Sequence, residues 1–60
     1  MFVKIFITET EFAYINVQHI FMIQPSVQGR TTIFLNVSPS VPIESIETYD
    51  VILSKINNPQ

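Results

Sequence analysis

The stretch from Phe12 to Gln24, FAYINVQHIFMIQ, limits what this chain can become more than any other part of it. Apolar side chains fall on both sides of an extended backbone: Phe12 and Tyr14 alternate with Ala13 and Ile15, and Ile20 and Met22 with Phe21 and Ile23. An ordinary half-buried antiparallel strand has one polar face, so something must cover the second side here. Asn16, Val17 and Gln18 interrupt the tract. Asn tolerates turn and left-handed backbone well, so the tract reads as two strands joined at a corner rather than one long strand. The chain has 60 residues and no cysteine with which to solve the covering problem. A monomer of that size buries only about 60% of the surface its unfolded chain exposes, and neither a disulfide nor a thiolate-bound metal can staple it. With 47% hydrophobic and 13% charged residues, oligomerisation is the route to stability that the composition favours. A homo-oligomer is expected.

Taken in order, residues 2–8 read as a first strand, with Val3, Ile5 and Ile7 on one face and Phe2, Lys4 and Phe6 on the other. Lys4 is its only charge and suits an edge strand, where Lys discourages further pairing. Thr8 to Glu11 make a polar turn. Strands at 12–16 and 19–24 follow, and Pro25, with no N–H to donate, stops the ladder. Ser26 to Arg30 form a hairpin loop in which Gly29, the single glycine, supplies a positive-φ position. Residues 31–37 make the next strand, Thr31, Ile33, Leu35 and Val37 facing one way and Thr32, Phe34 and Asn36 the other. The link Ser38-Pro39-Ser40-Val41-Pro42 forbids helix and favours extended chain, with room for a fifth short strand at 41–43. A helix is predicted over 45–57: Ser45 as N-cap, and Ile46, Tyr49, Ile52, Leu53 and Ile56 as its apolar stripe. Glu44, Glu47 and Asp50 crowd its first turns and Lys55 its last, which suits the helix dipole. Val51 falls on the polar face. The expected fold is α+β, one domain over 1–60: a small antiparallel sheet of four to five short strands followed by one C-terminal helix.

The run Tyr14-Ile15-Asn16-Val17-Gln18-His19-Ile20 with Ile23 beyond, a hairpin into Thr32-Ile33-Phe34-Leu35, and Val41-Pro42-Ile43-Glu44-Ser45 opening a helix together resemble the small FlbD-type motility proteins. The same order is similar to the C-terminal half of LytTR DNA-binding domains. The resemblance covers about residues 12 to 56. It implies a β-then-helix order and either a small regulatory subunit or a nucleic-acid-binding regulator. The chain departs from both patterns where Asn36-Val37-Ser38-Pro39-Ser40 replaces an Asn-Gly or Asp-Gly turn. It also lacks the basic residues a LytTR domain brings to DNA, and Glu9 and Glu11 stand nearby instead.

Little in the sequence carries chemistry. His19 is the only imidazole, so one chain cannot assemble a His-based metal site or a relay, and an apolar context suits a structural role. Glu44 and Glu47 are three apart at a predicted helix start, the usual place for solvated dipole partners rather than a catalytic pair. No Gly-x-Ser-x-Gly elbow occurs, and one glycine cannot make a phosphate loop. Neither an enzyme nor a cofactor is expected, and no metal site. The net charge of −2 with three basic residues makes nucleic acid an unexpected partner. Every apolar run stops short of the roughly 20 residues that span a bilayer, and the N-terminal MFVKIFITET does not read as a secretory signal, so a cytoplasmic protein without membrane contact is expected.

Phe2, Phe6, Phe12, Tyr14, Phe21, Phe34 and Tyr49 could form a stacking platform on a sheet face, but core packing and a subunit interface account for them better because the cations are scattered. The leading reading is a non-catalytic protein-interaction or adaptor module. The alternative is a nucleic-acid-binding regulator, and a mobile-element accessory protein with no activity of its own fits the same residues. Candidate interface residues are Phe2, Phe6, Phe21 and Val51. Arg30, on its hairpin loop, is the candidate contact for an anion or partner.

Overall fold

A computed structural model describes residues 1–38 and 40–58; Pro39, in the predicted link, and Pro59 lie outside the described residues. Among the described residues five strands and one helix follow one another as β1 (Phe2–Phe6), β2 (Phe12–Asn16), β3 (Ile20–Pro25), β4 (Thr31–Leu35), β5 (Ile43–Ser45) and α1 (Tyr49–Asn57). The fold is α+β. The strands divide between two antiparallel ladders, β1-β2 and β3-β4-β5, where the sequence suggests a single sheet.

The division happens at the predicted corner. Val17–His19 form a single 3-10 turn, and the Asn16 side chain caps it by accepting from the Gln18 amide at 3.0 Å. An Asn at this place satisfies a donor that the turn leaves orphaned, as at any helix N-terminus. The chain therefore leaves β2 and enters β3 in a different sheet.

Alternation along β1 and β2 puts Val3, Ile5 and Ile15 inward, where they meet Ile33 from β4 and Ile52 from α1. These five residues are the buried apolar core, and Ile5, Ile33 and Ile52 have no exposed surface at all. Ala13, Ile20, Ile23, Leu35, Ile43 and Ile56 pack around them.

In β3 simple alternation fails. The register steps from Ile20 opposite Leu35 to Met22 opposite Phe34, leaving Phe21 as an extra residue in a β-bulge. A bulge resets the in-and-out order of a strand. Ile20 and Ile23 both pack on the core, while Phe21 and Met22 both lie exposed. The two-sided apolar character of this strand is thus partly a bulge that periodicity does not reveal.

The hairpin between β3 and β4 turns through Val27–Gly29, where Gln28 (φ 58°) and Gly29 (φ 74°) both take left-handed backbone. The Arg30 amide closes it by donating to the Val27 carbonyl at 3.1 Å. Gly29 is where the sequence places a positive φ; Gln28 shares it.

The C-terminal third differs from the sequence reading. Ser45 is not the helix N-cap: it is the last residue of β5, opposite Thr31, and fully buried. The fifth strand accordingly lies at 43–45 rather than 41–43, and the helix starts at Tyr49 with Thr48 as cap, its hydroxyl accepting from the Val51 amide at 3.4 Å. Two Ser/Thr residues three apart offer competing caps. Burial of Ser45 against β1 decides between them. Ile46 therefore belongs to the connection and not to the helical stripe, and Leu53 lies at the surface while Ile52 takes the buried position. Strands β1 and β4 end at Phe6 and Leu35, two residues short of the expected limits.

Candidate functional site

Paired residues in an antiparallel ladder share a face. Lys4 stands opposite Tyr14, Phe6 opposite Phe12, and Phe2 opposite Asn16. The two half-faces visible in the sequence, Phe2-Lys4-Phe6 and Phe12-Tyr14, are therefore one surface, on the reverse of the core-facing Val3, Ile5 and Ile15.

Three rings on this surface, Phe6, Phe12 and Tyr14, are ordered against each other. Phe6 and Phe12 meet edge to face with centroids 5.8 Å apart, and Phe12 and Tyr14 do so at 5.6 Å. The Lys4 ammonium lies 4.2 Å from the Phe12 centroid and 5.2 Å from that of Phe6. Such geometry suits the ring quadrupole in both contact types. The surface stays open to solvent nonetheless: Phe2 is 56% exposed, Phe12 46% and Tyr14 63%. Phe6 is half-buried. Isolated exposed apolar residues are normal, but a contiguous set of large rings is the kind of patch that marks a contact surface.

The proposed interface residues divide among three places. Phe2 and Phe6 lie on this face. Phe21 lies on the bulge of the other sheet, its ring 6.2 Å from Phe34, and Val51 is exposed on the helix. Arg30 is not an unaccompanied cation: its Nη1 stands 3.5 Å from the Glu44 carboxylate, with both side chains about half exposed. An exposed pair of this kind contributes little to stability, but it neutralises the charge an anion would seek. His19 is exposed in the 3-10 turn, where its carbonyl accepts from the Asn36 amide at 2.8 Å.

One residue with a larger role than the sequence indicated is Glu47. It precedes the helix cap rather than entering the first turn, and its side chain is only 14% exposed. One carboxylate oxygen accepts from the Phe6 amide at 2.9 Å, and the other pairs with the Lys55 ammonium at 2.7 Å. Its carbonyl accepts from the buried Thr31 hydroxyl at 2.8 Å, and its own amide donates to the Ser45 hydroxyl at 3.0 Å. Lys55 in turn donates to the Lys4 carbonyl at 2.7 Å, and its ammonium lies 5.6 Å from the Phe6 ring centroid. Glu47 thereby fixes the far edge of the strand that carries the aromatic face. Only the solvated role of an acid near a helix start was readable from the sequence, because the partners come from β1, β4 and α1.

Among the described residues no group of three or more His, Asp or Glu side chains is placed to hold a metal ion. Among the described residues no helix is long and apolar enough to cross a membrane. Comparison of the chain with protein-family models, curated proteins and solved structures gave no match.

Proposed function

We propose that this chain is a non-catalytic protein-interaction module that meets its partner through the outer face of the β1-β2 ladder. One observation carries the reading: Phe2, Phe12 and Tyr14 remain exposed around Lys4 while the reverse of the same ladder holds the core. Phe6, Phe12 and Tyr14 already meet edge to face, and aromatic anchors dominate interface energetics. Read with the FlbD-type resemblance, the module is a small regulatory subunit.

A nucleic-acid-binding regulator is the second reading, favoured by the combination of sheet-borne rings and Lys4, which is what base stacking uses. Affinity for a phosphate backbone comes from cations that are available to it. Two of the three Lys and Arg residues are engaged with carboxylates, Lys55 with Glu47 and Arg30 with Glu44. Protein is the better-supported partner.

Site-specific photo-crosslinking tests the reading. A photoreactive phenylalanine analogue at Phe2 should form defined adducts in cells, and the same analogue at Val27, exposed on the β3-β4 turn, should not. Equal labelling from both positions would remove the claim that this face is the contact surface.

A further inference from the structure

We propose that β2 pairs edge to edge with β2 of a second copy of this chain, antiparallel about a two-fold axis at Tyr14, to make a continuous four-stranded sheet. The proposal goes beyond the reading of the aromatic face: it concerns the free edge of the same ladder and leaves that face open.

The argument starts from which backbone groups lack partners. The Ile7 amide donates to the Glu11 carbonyl at 2.8 Å, and the Val17 amide to the Met1 carbonyl at 2.9 Å. With Val3 opposite Ile15 and Ile5 opposite Ala13, these set the phase of the ladder: odd-numbered residues of β1 and β2 bond across it, and even-numbered ones point outward. The N–H and C=O groups of Phe12 and Tyr14 therefore face away from β1. Among the described residues, no strand lies on that side of β2.

Exposed strand edges invite pairing, and proteins blunt them with charge, proline, bulges, shortness or a cover. Every other edge in this fold carries such a device. On β1 the Phe6 amide is taken by Glu47, the Phe6 carbonyl by Ser45 and Ile46, and the Lys4 carbonyl by Lys55. Strand β3 has its bulge at Phe21 and ends in Pro25. Strand β5 is three residues long and carries Glu44. Strand β2, Phe-Ala-Tyr-Ile-Asn, has five residues in unbroken register, with no charge and no proline. It is the edge left able to pair.

A second copy brings an edge with the same free donors and acceptors, and charge does not oppose it. An axis at Tyr14 sets Tyr14 against Tyr14 of the second copy and Phe12 against its Asn16, so no like charges oppose each other. Lys4, one strand back from the axis, would lie three strand spacings from its counterpart, roughly 14 Å at about 4.8 Å per strand. That exceeds the Debye length of about 8 Å at physiological salt. Pairing through β1 instead would bring the two lysines within one spacing. The β2 arrangement also continues the row Phe6, Phe12, Tyr14 across the axis.

Light scattering over a wide concentration range, on the wild-type chain and the variants Tyr14→Lys and Phe2→Lys, tests this. Wild type should reach a mass of two chains. Tyr14→Lys, which sets two ammonium groups against each other at the axis, should lose the two-chain species with its circular dichroism unchanged. Phe2→Lys, on the same face but one strand from the axis, should keep it. Hydrogen exchange gives a second readout: the Tyr14 amide should be protected in concentrated wild type and exchange freely when dilute. A one-chain mass at every concentration, or a two-chain mass that survives Tyr14→Lys, overturns the proposal. A one-chain mass together with Phe2 adducts to another protein would sink the self-pairing and leave the interaction reading standing. A Tyr14-dependent dimer whose Phe2 yields no adduct would do the reverse.

Discussion

The Phe6 amide donates to the Glu47 carboxylate across 2.9 Å, tying the end of β1 to the residue just ahead of the helix cap, forty-one positions away in sequence. The bond is partly buried, and its loss leaves an amide with reduced access to water. Removing one partner of a buried hydrogen bond costs about 1–3 kcal/mol. Glu47→Ala is therefore expected to lower stability by that amount in urea unfolding, and Glu47→Gln, which keeps an acceptor and loses the charge facing Lys55, by about half. In a domain of this size each 1 kcal/mol should shift the thermal midpoint by about 4–8 °C. Equal midpoints for Glu47→Ala and wild type would show that the link between β1 and the pre-helix segment contributes nothing.

Ser45 and Thr48 give a second contrast. Ser45 is buried, donates to the Phe6 carbonyl at 2.7 Å and accepts from the Glu47 amide at 3.0 Å. Thr48 makes one long cap bond at the surface. Ser45→Ala is expected to cost about 1–3 kcal/mol and Thr48→Ala about 0.5–1 kcal/mol. The reverse order would mean that the helix begins at Ser45 after all.

These two residues also mark where sequence reasoning reached its limit. Local patterns identified the strand faces of β1 and β2, the corner at Asn16, the positive-φ Gly29 and the existence of a final helix, because alternation, capping chemistry and glycine each act within a few residues. The helix start, the bulge at Phe21 and the role of Glu47 depend on contacts between distant segments. Ser45 and Thr48 are equivalent caps by local chemistry, and only the approach of β1 to Ser45 separates them. Similarly, Phe2-Lys4-Phe6 and Phe12-Tyr14 were each recognisable as a face, but their merger into one surface follows from the β1-β2 register.

Ile52 is the helix's only fully buried side chain, packed against Val3, Ile5, Ile15 and Ile33. Ile→Ala in a core costs about 2–5 kcal/mol, and a chain of 60 residues has in total about 3–9 kcal/mol of stability at typical per-residue values. Ile52→Ala should be largely unfolded or close to it by circular dichroism. Leu53→Ala, at the neighbouring exposed position, should cost less than about 1 kcal/mol. Similar losses at both positions would place the helix face wrongly.

The β3-β4 turn permits a stabilising change. Gln28 at φ 58° and ψ 34°, followed by Gly29 at φ 74°, matches the left-handed pair of a type I′ turn, for which Asn-Gly is preferred. Gln28→Asn should raise stability by about 0.5 kcal/mol, since Asn enters this region more readily than Gln. Gly29→Ala should lower it by about 1 kcal/mol through backbone strain alone, because an added Cβ would meet nothing within 4 Å. Both effects are readable as midpoint shifts in thermal unfolding.

Lys4 is where the two functional readings diverge most sharply. Its ammonium sits over Phe12 at 4.2 Å and is the cation at the centre of the β1-β2 outer face. Exposed cation–π contacts contribute about 0.5–1 kcal/mol, so Lys4→Met should change folding stability by no more than that. Its effect on binding depends on the partner. If the face meets protein, Lys4→Met removes the charge at its centre, and association should strengthen and depend less on salt. If it stacks on single-stranded nucleic acid, the variant removes the cation among the rings that no carboxylate engages, Lys55 being paired with Glu47, and affinity should fall together with the slope of log K against log salt. Titrating a fluorescent single-stranded RNA with wild type and Lys4→Met at two salt concentrations separates these outcomes. The expected result is no salt-dependent binding by either. A wild-type affinity that falls steeply with salt and is lost in Lys4→Met would transfer the face to nucleic acid.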